Sequence, residues 1–247
     1  MDPKYGERYR DLFEKHWWWR ARSRLIVDEL RRIRPQQGWK TILDIGCGDG
    51  LFFPELSRFG DVEGVEPFEA LVNPGNPYRN RIAICPFDEN YQPGKQYSLI
   101  LMLDVLEHIE HAVAALRHAV SLLEPDGTLI LTLPAFMALW TNHDVMNQHF
   151  IRYTKTTFRE VARQAGFQIR EQRYLYHWTC PVKMGIHWTE QLFRRAPKPA
   201  EIPMKPVNEL MYLVSRLEQM TVTRLSMPFG SSLLIVGQKS EGQKSEG

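Results

Sequence analysis

Thr41-Ile42-Leu43-Asp44-Ile45-Gly46-Cys47-Gly48-Asp49-Gly50 is the stretch on which the reading of this chain turns. Its first residues are apolar and partly β-branched, as a strand buried on both faces requires. Gly46, Gly48 and Gly50 then fall at every second position. Without a Cβ, a glycine lets the backbone take positive φ or approach a ligand closely. A Gly-x-Gly-x-x-Gly loop would cradle a pyrophosphate at a helix N-terminus, but Leu51 and Phe53 stand where its third glycine belongs. What remains is Gly-x-Gly-x-Gly with an acid two residues ahead of the first glycine. It reads as a strand ending in a ligand loop; the bland reading is a glycine-rich turn with no ligand.

The neighbouring sequence favours the ligand. Val62-Glu63-Gly64-Val65-Glu66-Pro67 is the next apolar run, and it ends in an acid 22 residues after Asp44. A carboxylate so placed at a strand tip accepts hydrogen bonds from ribose hydroxyls. Nicotinamide enzymes share that feature, so Glu66 alone does not choose a cofactor. Further on, Tyr97 to Leu103 is an apolar strand running into Asp104-Val105-Leu106-Glu107-His108, and Glu124-Pro125-Asp126-Gly127 is a turn before Thr128 to Leu133.

These four stretches, in this order, resemble the class I S-adenosylmethionine (SAM) methyltransferases of small-molecule type. Asp44 to Gly50 looks like their motif I and Asp104 to His108 like their motif IV. Ser98 departs from the pattern, standing where the family commonly has Asp, which touches packing more than chemistry. The resemblance implies an α/β, Rossmann-like sheet of seven strands with the last one antiparallel, an N-terminal helical cap and a helical insertion before the last strand. It also implies SAM as cofactor, S-adenosylhomocysteine as its product, and no metal. The cofactor would lie against Asp44, Gly46, Cys47, Gly48, Gly50, Glu66, Pro67, Leu103, Asp104 and Val105. Phe87 and Asp88 would stand at the adenine, by ring stacking and by accepting from the exocyclic amine; a turn-forming Phe-Asp is the plain alternative.

Trp17-Trp18-Trp19-Arg20, with Arg22 and Arg24 close behind, is the oddest local composition. Three adjacent tryptophans on a helix cover more than one face, so at least one ring meets a cavity or another segment. Similar stretches in a bacterial subgroup of these methyltransferases look like part of the cofactor lid, which makes Trp18, Arg20 and Arg24 candidates there. An arginine grips a carboxylate bidentately. The alternative is a membrane-surface helix, which the acids Glu7, Asp11, Glu14, Asp28 and Glu29 weaken.

The 247 residues suffice for one elaborated α/β domain. Five regions are expected: a helical cap over 1–40, a cofactor-binding core over 41–180, a helical insertion on the substrate side over 181–229, a last strand over 230–238 and a disordered tail over 239–247. Residues 4–34 read as helical, and strands are expected at 41–45, 62–66, 81–85, 97–103, 128–133 and 167–174. Helices are expected near 50–58, 111–123, 155–166, 183–195 and 207–224, with a proline-rich connector over 196–203. No apolar run is long enough to span a bilayer, no signal peptide is expected from the charged first residues, and three widely spaced cysteines suggest neither disulfides nor zinc. The cytoplasm is the expected compartment.

Charge is uneven along the chain. Residues 1–40 hold 11 Lys/Arg against 6 Asp/Glu, residues 41–150 hold 5 against 15, and residues 151–200 hold 10 against 3. An acidic core suits a cationic sulfonium, and basic flanks attract an anionic acceptor or a surface; solvated helix faces explain the same numbers.

For chemistry, a hydroxyl acceptor needs a general base within hydrogen-bond reach. Ligands of open α/β sheets bind beyond the strands' C-terminal ends, which brings forward His108 after the fourth strand, and His143 and His149 after the fifth. His149 is the favoured base. His108, Trp140, Arg152 and Tyr153 are candidates for holding the acceptor. His143, Asp144 and His149 also have the ligand types of an incomplete metal site, and the plain alternative is that His149, Arg152 and Tyr153 brace the loop before the next helix. The expected reaction is O-methylation of a small molecule, with anionic, sugar-linked and lipid-linked acceptors all compatible. Peripheral membrane contact is compatible too, and nucleic acid is not an expected partner. Two rival classes are a nucleic-acid methyltransferase and a catalytically silent SAM-binding partner protein. The first lacks its usual Asn/Asp-Pro-Pro-aromatic motif after the fourth strand.

Overall fold

The computed structural model describes residues 3–193, 200–222 and 227–239, with side chains from Tyr9 onward. Seven strands form one sheet: β1 (Thr41–Ile45), β2 (Asp61–Glu66), β3 (Ile82–Ile84), β4 (Tyr97–Leu103), β5 (Leu123–Pro134), β6 (Phe167–Leu175) and β7 (Ser232–Lys239). Their order is β3-β2-β1-β4-β5-β7-β6. The pairs from β3 to β5 are parallel, while β7 runs antiparallel to both β5 and β6. The last strand is antiparallel, as expected, and wedges between β5 and β6. This is the class I methyltransferase fold.

Alternation along the strands sorts side chains to two layers. Leu43, Ile45, Ile100 and Leu131 pack with α4 (Ala112–Ser121) and α6 (Lys155–Ala165) through Leu116, Val120, Phe158 and Ala162. Ile42, Leu99, Leu101 and Ile130 face the other way, onto Ile26 and Leu30 of α2 (Trp17–Ile33) and Phe53 and Leu56 of α3 (Phe53–Leu56). Each fully buried aliphatic side chain of this kind stabilises the fold by about 1.5–3 kcal/mol. Thus α2 covers one face of the sheet and belongs to the core, although it falls within the expected cap. Ser98 does a structural job at the sheet's entrance. Its Oγ accepts from Lys40 N at 2.9 Å and Thr41 N at 3.1 Å and donates to Thr41 O.

Several boundaries differ from the sequence reading, each for a tertiary reason. The expected helix over 4–34 breaks at His16 into α1 (Pro3–Lys15) and α2. No proline or glycine causes this. The His16 Nδ1 caps Trp18 N at 3.1 Å, and Asn208 of α8 (Lys205–Met220) accepts from Trp17 N at 2.9 Å and donates to Lys15 O at 2.8 Å. The helix expected over 50–58 is the single turn α3, and β5 begins early, at Leu123, with a register shift where the Glu124–Gly127 turn bulges out. As expected, α6 ends at Gly166 in the left-handed region, φ 70°. The first of the two late helices, α7, spans Thr179–Phe193. The first half of the proline-rich connector, the residues after Val222 in the second late helix, and the tail beyond Lys239 lie outside the described residues.

Candidate functional site

The chain order reverses across β1, whose neighbours are β2 on one side and β4 on the other. Ligands of such sheets bind in the crevice outside the strand ends at this point. Backbone strain collects there. Asp104, Phe136 and Tyr176, just past the ends of β4, β5 and β6, have φ of 56°, 59° and 56°. Non-glycine residues rarely hold such values, and they concentrate at functional sites.

Gly46 takes φ 69°, and a Cβ on it would stand 2.6 Å from Val105 Cγ2. The loop after β1 and the residue after Asp104 are thus packed backbone to side chain. Glu66, at the tip of β2, closes the loop from below: Oε2 accepts from Gly48 N at 2.9 Å and Oε1 from Phe68 N at 2.9 Å. Carboxylate oxygens hold further lone pairs, so Glu66 keeps acceptor capacity. Cys47 is buried, and its Sγ sits where a side chain on Gly64 would be, 2.4 Å from a Cβ built there. Its side chain fastens the loop to β2. Leu103 is half-buried and Pro67 exposed beside these groups.

Asp44 is buried, and burial pushes its carboxyl up to about 7, with Arg22 opposing and Glu66 adding to the rise. Burial raises Glu66 as well, against the pull of its two backbone hydrogen bonds. The cation that serves this cluster comes from α2. Arg22 Nε pairs with Asp104 Oδ2 at 2.6 Å, and its Nη2 donates to Leu103 O at 2.7 Å.

Arg22 was not among the expected cofactor residues, and two that were stand elsewhere. Arg20 pairs with Glu209 at 2.6 Å and lies over the Tyr212 ring, 4.3 Å from its centroid, while Arg24 is exposed. Both are two residues from Arg22 and so project from other sides of the helix. Trp18 is at i−4 from Arg22 and shares its face, its ring 5.4 Å from the guanidinium. That spacing was the available signal. Above the loop, Tyr9 reaches to 3.6 Å from a Cβ built on Gly48, and Arg10 pairs with Asp49, which also accepts from Asn73 N and Asn76 Nδ2. Phe87 packs on Tyr91 and His118, with centroids 5.8 and 5.1 Å apart, and Asp88 caps its own turn by accepting from Asn90 N.

At the other end of the crevice, the loop after β5 is built around Asp144 of α5 (Asn142–Met146). Its oxygens accept from Arg152 Nε and Nη2, each at 2.8 Å, from Thr141 N at 2.8 Å, and Oδ1 lies 2.8 Å from His149 Nδ1. Burial opposes its charge, yet the His149 hydrogen bond and then Arg152 hold the Asp144 carboxyl well below the usual range. Gln148 has φ 58°, and Phe150 N donates to Glu107 O at 2.8 Å, which folds His149 back onto the end of β4. There the His108 and His149 rings meet edge to face, 4.6 Å between centroids.

Two expected acceptor contacts are corrected. Arg152 is 2% exposed and spent on Asp144 and Ala135 O, and Tyr153 is 1% exposed and packs on Phe158 in the core. Trp140 is half-buried, and its carbonyl meets His187 Nδ1 of α7 at 2.6 Å. The grouping of His143, Asp144 and His149 around a metal does not form, because Asp144 is committed to Arg152. Among the described residues, Glu107, His108 and His149 instead bring one ligand atom each within 4.8 Å of one another. Burial, then the charge of Lys183, lowers His143 to about 4, which makes it a weak base. Burial lowers Lys183 in turn to about 8. Lys183, the one lysine of α7, had no sequence signal, since nothing local marks that it stands near His143 and Arg152.

With this geometry in place, comparison with known proteins is informative. Residues 18–172 match the family model described as a methyltransferase domain. The chain belongs to that family. It is 32% identical over 130 residues to the ubiquinone biosynthesis O-methyltransferase of Azorhizobium caulinodans, covering 50% of this chain and 47% of that protein. To the protein of the same description from Bradyrhizobium diazoefficiens it is 30% identical over 101 residues, covering 38% and 40%. The chain thus spans less than half the length of these curated relatives. Among solved structures, a TehB-like SAM-dependent methyltransferase from Corynebacterium glutamicum superposes with a TM-score of 0.54 at 17% identity, covering 97% of this chain and all of that one. No helix among the described residues is long and apolar enough to cross a membrane.

Proposed function

We propose that this methyltransferase-family chain binds SAM in the crevice over β1, β2 and β4 and methylates a hydroxyl of a small-molecule acceptor held over β4 and β5. The observation that carries this reading is the Glu66–Gly48 closure of the glycine loop, flanked by the buried carboxyl of Asp44 and the half-buried one of Asp104. Three acids around one loop suit a ligand with a cationic sulfonium and ribose hydroxyls. When bound, SAM supplies an electrophilic methyl group on sulfur. In this arrangement Asp44 and the loop hold the amino-acid end, Glu66 the ribose, and Phe87 with Asp88 the adenine side. Arg22 and Trp18 close the crevice and exclude water.

His149 takes the acceptor's proton. Asp144 fixes the imidazole through Nδ1, leaving Nε2 as the basic nitrogen, and Arg152 fixes Asp144 in turn. That is the base-plus-orienter logic of acid–base sites. Methylation of the acceptor oxygen would break its O–H bond, and His149 would take that proton at Nε2. His108 shapes the pocket at His149's edge, and His143 braces the loop.

Methyl-labelled SAM offered with a panel of small phenols, sugars and lipid-linked alcohols tests the reading. Label on an alkali-stable ether of one of them is the expected result. Label found on RNA or DNA alone would overturn it.

Asp44 sets a pH dependence. Its folded carboxyl is raised to about 7 from an ordinary value near 3.8, so between these values the cofactor-free protein carries a proton that a cationic ligand must expel. Affinity for SAM is expected to rise with pH by up to about tenfold per unit below 7 and to level off above it. In Asp44→Asn the affinity is lower and this slope is gone, as calorimetry across pH 5–8 would register. A wild-type affinity that is flat across that range would show that Asp44 does not face the bound cation.

A further inference from the structure

Helix α7 turns one face toward the crevice. Thr179, Cys180, Lys183, His187 and Glu190 are three or four residues apart along it and share a side of the helix. They are buried or half-buried, whereas Val182, Met184, Ile186 and Trp188 between them are exposed. Both ends of that face are tied down. Thr179 Oγ1 donates to Tyr176 O at 2.7 Å and lies 2.6 Å from Ser231 Oγ. Further along, His187 Nδ1 meets Trp140 O at 2.6 Å and Glu190 Oε2 accepts from Asn142 N at 2.8 Å. Lys183 stands between these anchors, midway from Thr179 to His187.

The charges around it do not balance. The groups that act on the Lys183 ammonium are Arg152, Asp144, Asp104 and Cys180 of its own helix, and Lys183 in turn acts on His143. These surroundings put it at the acceptor end of the crevice. Each aspartate there is already matched, Asp144 by Arg152 and Asp104 by Arg22. Glu107 is 1% exposed, and burial, then the charge of Asp104, raises its carboxyl well above the usual range, so it is a poor source of compensating charge. Among the described residues, no carboxylate forms an ion pair with Lys183. An ammonium withdrawn from water without a counterion is costly. Burial accordingly lowers Lys183 to about 8, which still leaves it charged at neutral pH. A ligand that brings the missing anion offsets that cost.

We propose that Lys183 is the specificity-determining residue of the acceptor site, selecting a small molecule that bears an oxyanion, carboxylate or phosphate, beside the hydroxyl to be methylated. The inference rests on the reading of the crevice as a methyltransferase site. A neutral acceptor leaves Lys183 uncompensated, and a cationic one meets Arg152 and Lys183 together.

Matched acceptors that differ chiefly in charge test it. Gallate is paired with its methyl ester, and glycerol phosphate with glycerol. Each is titrated by calorimetry into the protein saturated with S-adenosylhomocysteine, and each is offered as acceptor with SAM. The wild type is expected to bind at least one acid about tenfold or more tightly than its neutral partner, the scale of a hydrogen bond to a charged group. In turnover the same preference should appear in KM rather than in kcat. Preference within the gallate pair identifies a carboxylate, and within the glycerol phosphate pair a phosphate. Lys183→Met should bring the ratio close to one and Lys183→Arg should keep it, with S-adenosylhomocysteine affinity at the wild-type value in both. A merely structural lysine would weaken both members of a pair alike. Wild-type ratios near one in both pairs would overturn the proposal, as would a wild-type ratio in Lys183→Met or a ratio lost equally in Lys183→Arg. The expected binding ratios without turnover of any of the four would support Lys183 and count against the methylation reading.

Discussion

His149→Ala is expected to lower kcat by about 10²–10⁴, the range a positioned general base contributes, with affinity for S-adenosylhomocysteine close to wild type. The separation follows from where the residue stands. His149 touches Asp144 and His108 at the β4–β5 end of the crevice, whereas the glycine loop, Asp44 and Glu66 lie over β1 and β2. The fold should survive, because Asp144 retains Arg152 and Thr141 N as partners. A further readout distinguishes a base from a metal ligand: the wild-type rate should be unaffected by a chelator. A chelator-sensitive rate would instead point to the Glu107, His108 and His149 cluster as a metal site. Normal turnover by His149→Ala would make the residue structural.

Arg152→Leu should be the most destabilising single change in the site, costing about 3–5 kcal/mol, because it leaves the Asp144 carboxylate buried without its bidentate cation. Urea unfolding would show this as a lower midpoint at unchanged slope. The double variant Arg152→Leu, Asp144→Asn should recover part of the loss, since the uncompensated charge is then gone. Acid gives an independent check. The Asp144 pKa is depressed in the fold, so the stability it contributes is present above its ordinary value near 3.8 and is lost as pH falls below that toward the folded value. Arg152→Leu should lessen this acid sensitivity. Unfolding curves identical to wild type would mean that the ion pair holds nothing together.

Much of the fold was legible because its signals are local. The glycine loop, the acid at the tip of β2 and the apolar runs of β4 and β5 each depend on residues adjacent in sequence, and each lies where its pattern implied. What was not legible depends on neighbours remote in sequence. The helix break at His16 is capped by His16 and held by Asn208, almost two hundred positions away, and histidine is not among the residues that ordinarily signal a cap. The arginine of the crevice was misjudged by two positions. Composition alone gives Arg20, Arg22 and Arg24 equal claims, and only their order around the helix relative to Trp18 separates them. Arg152 and Tyr153 read as contacts to the acceptor, and both are buried because Asp144 and the α6 side of the core take them in. The inward face of α7 was hidden for a related reason: periodicity reports that a helix has two faces and is silent on which one turns inward.

Titration calorimetry of the wild-type chain with S-adenosylhomocysteine, SAM and NAD, repeated on Glu66→Ala, tests the central claim most directly. The account predicts one saturable site for the SAM-type ligands and none for NAD. It also predicts that Glu66→Ala weakens binding by about 1.5–3 kcal/mol, the scale of hydrogen bonds to a charged group. Tight NAD binding with no response to SAM or S-adenosylhomocysteine would contradict it.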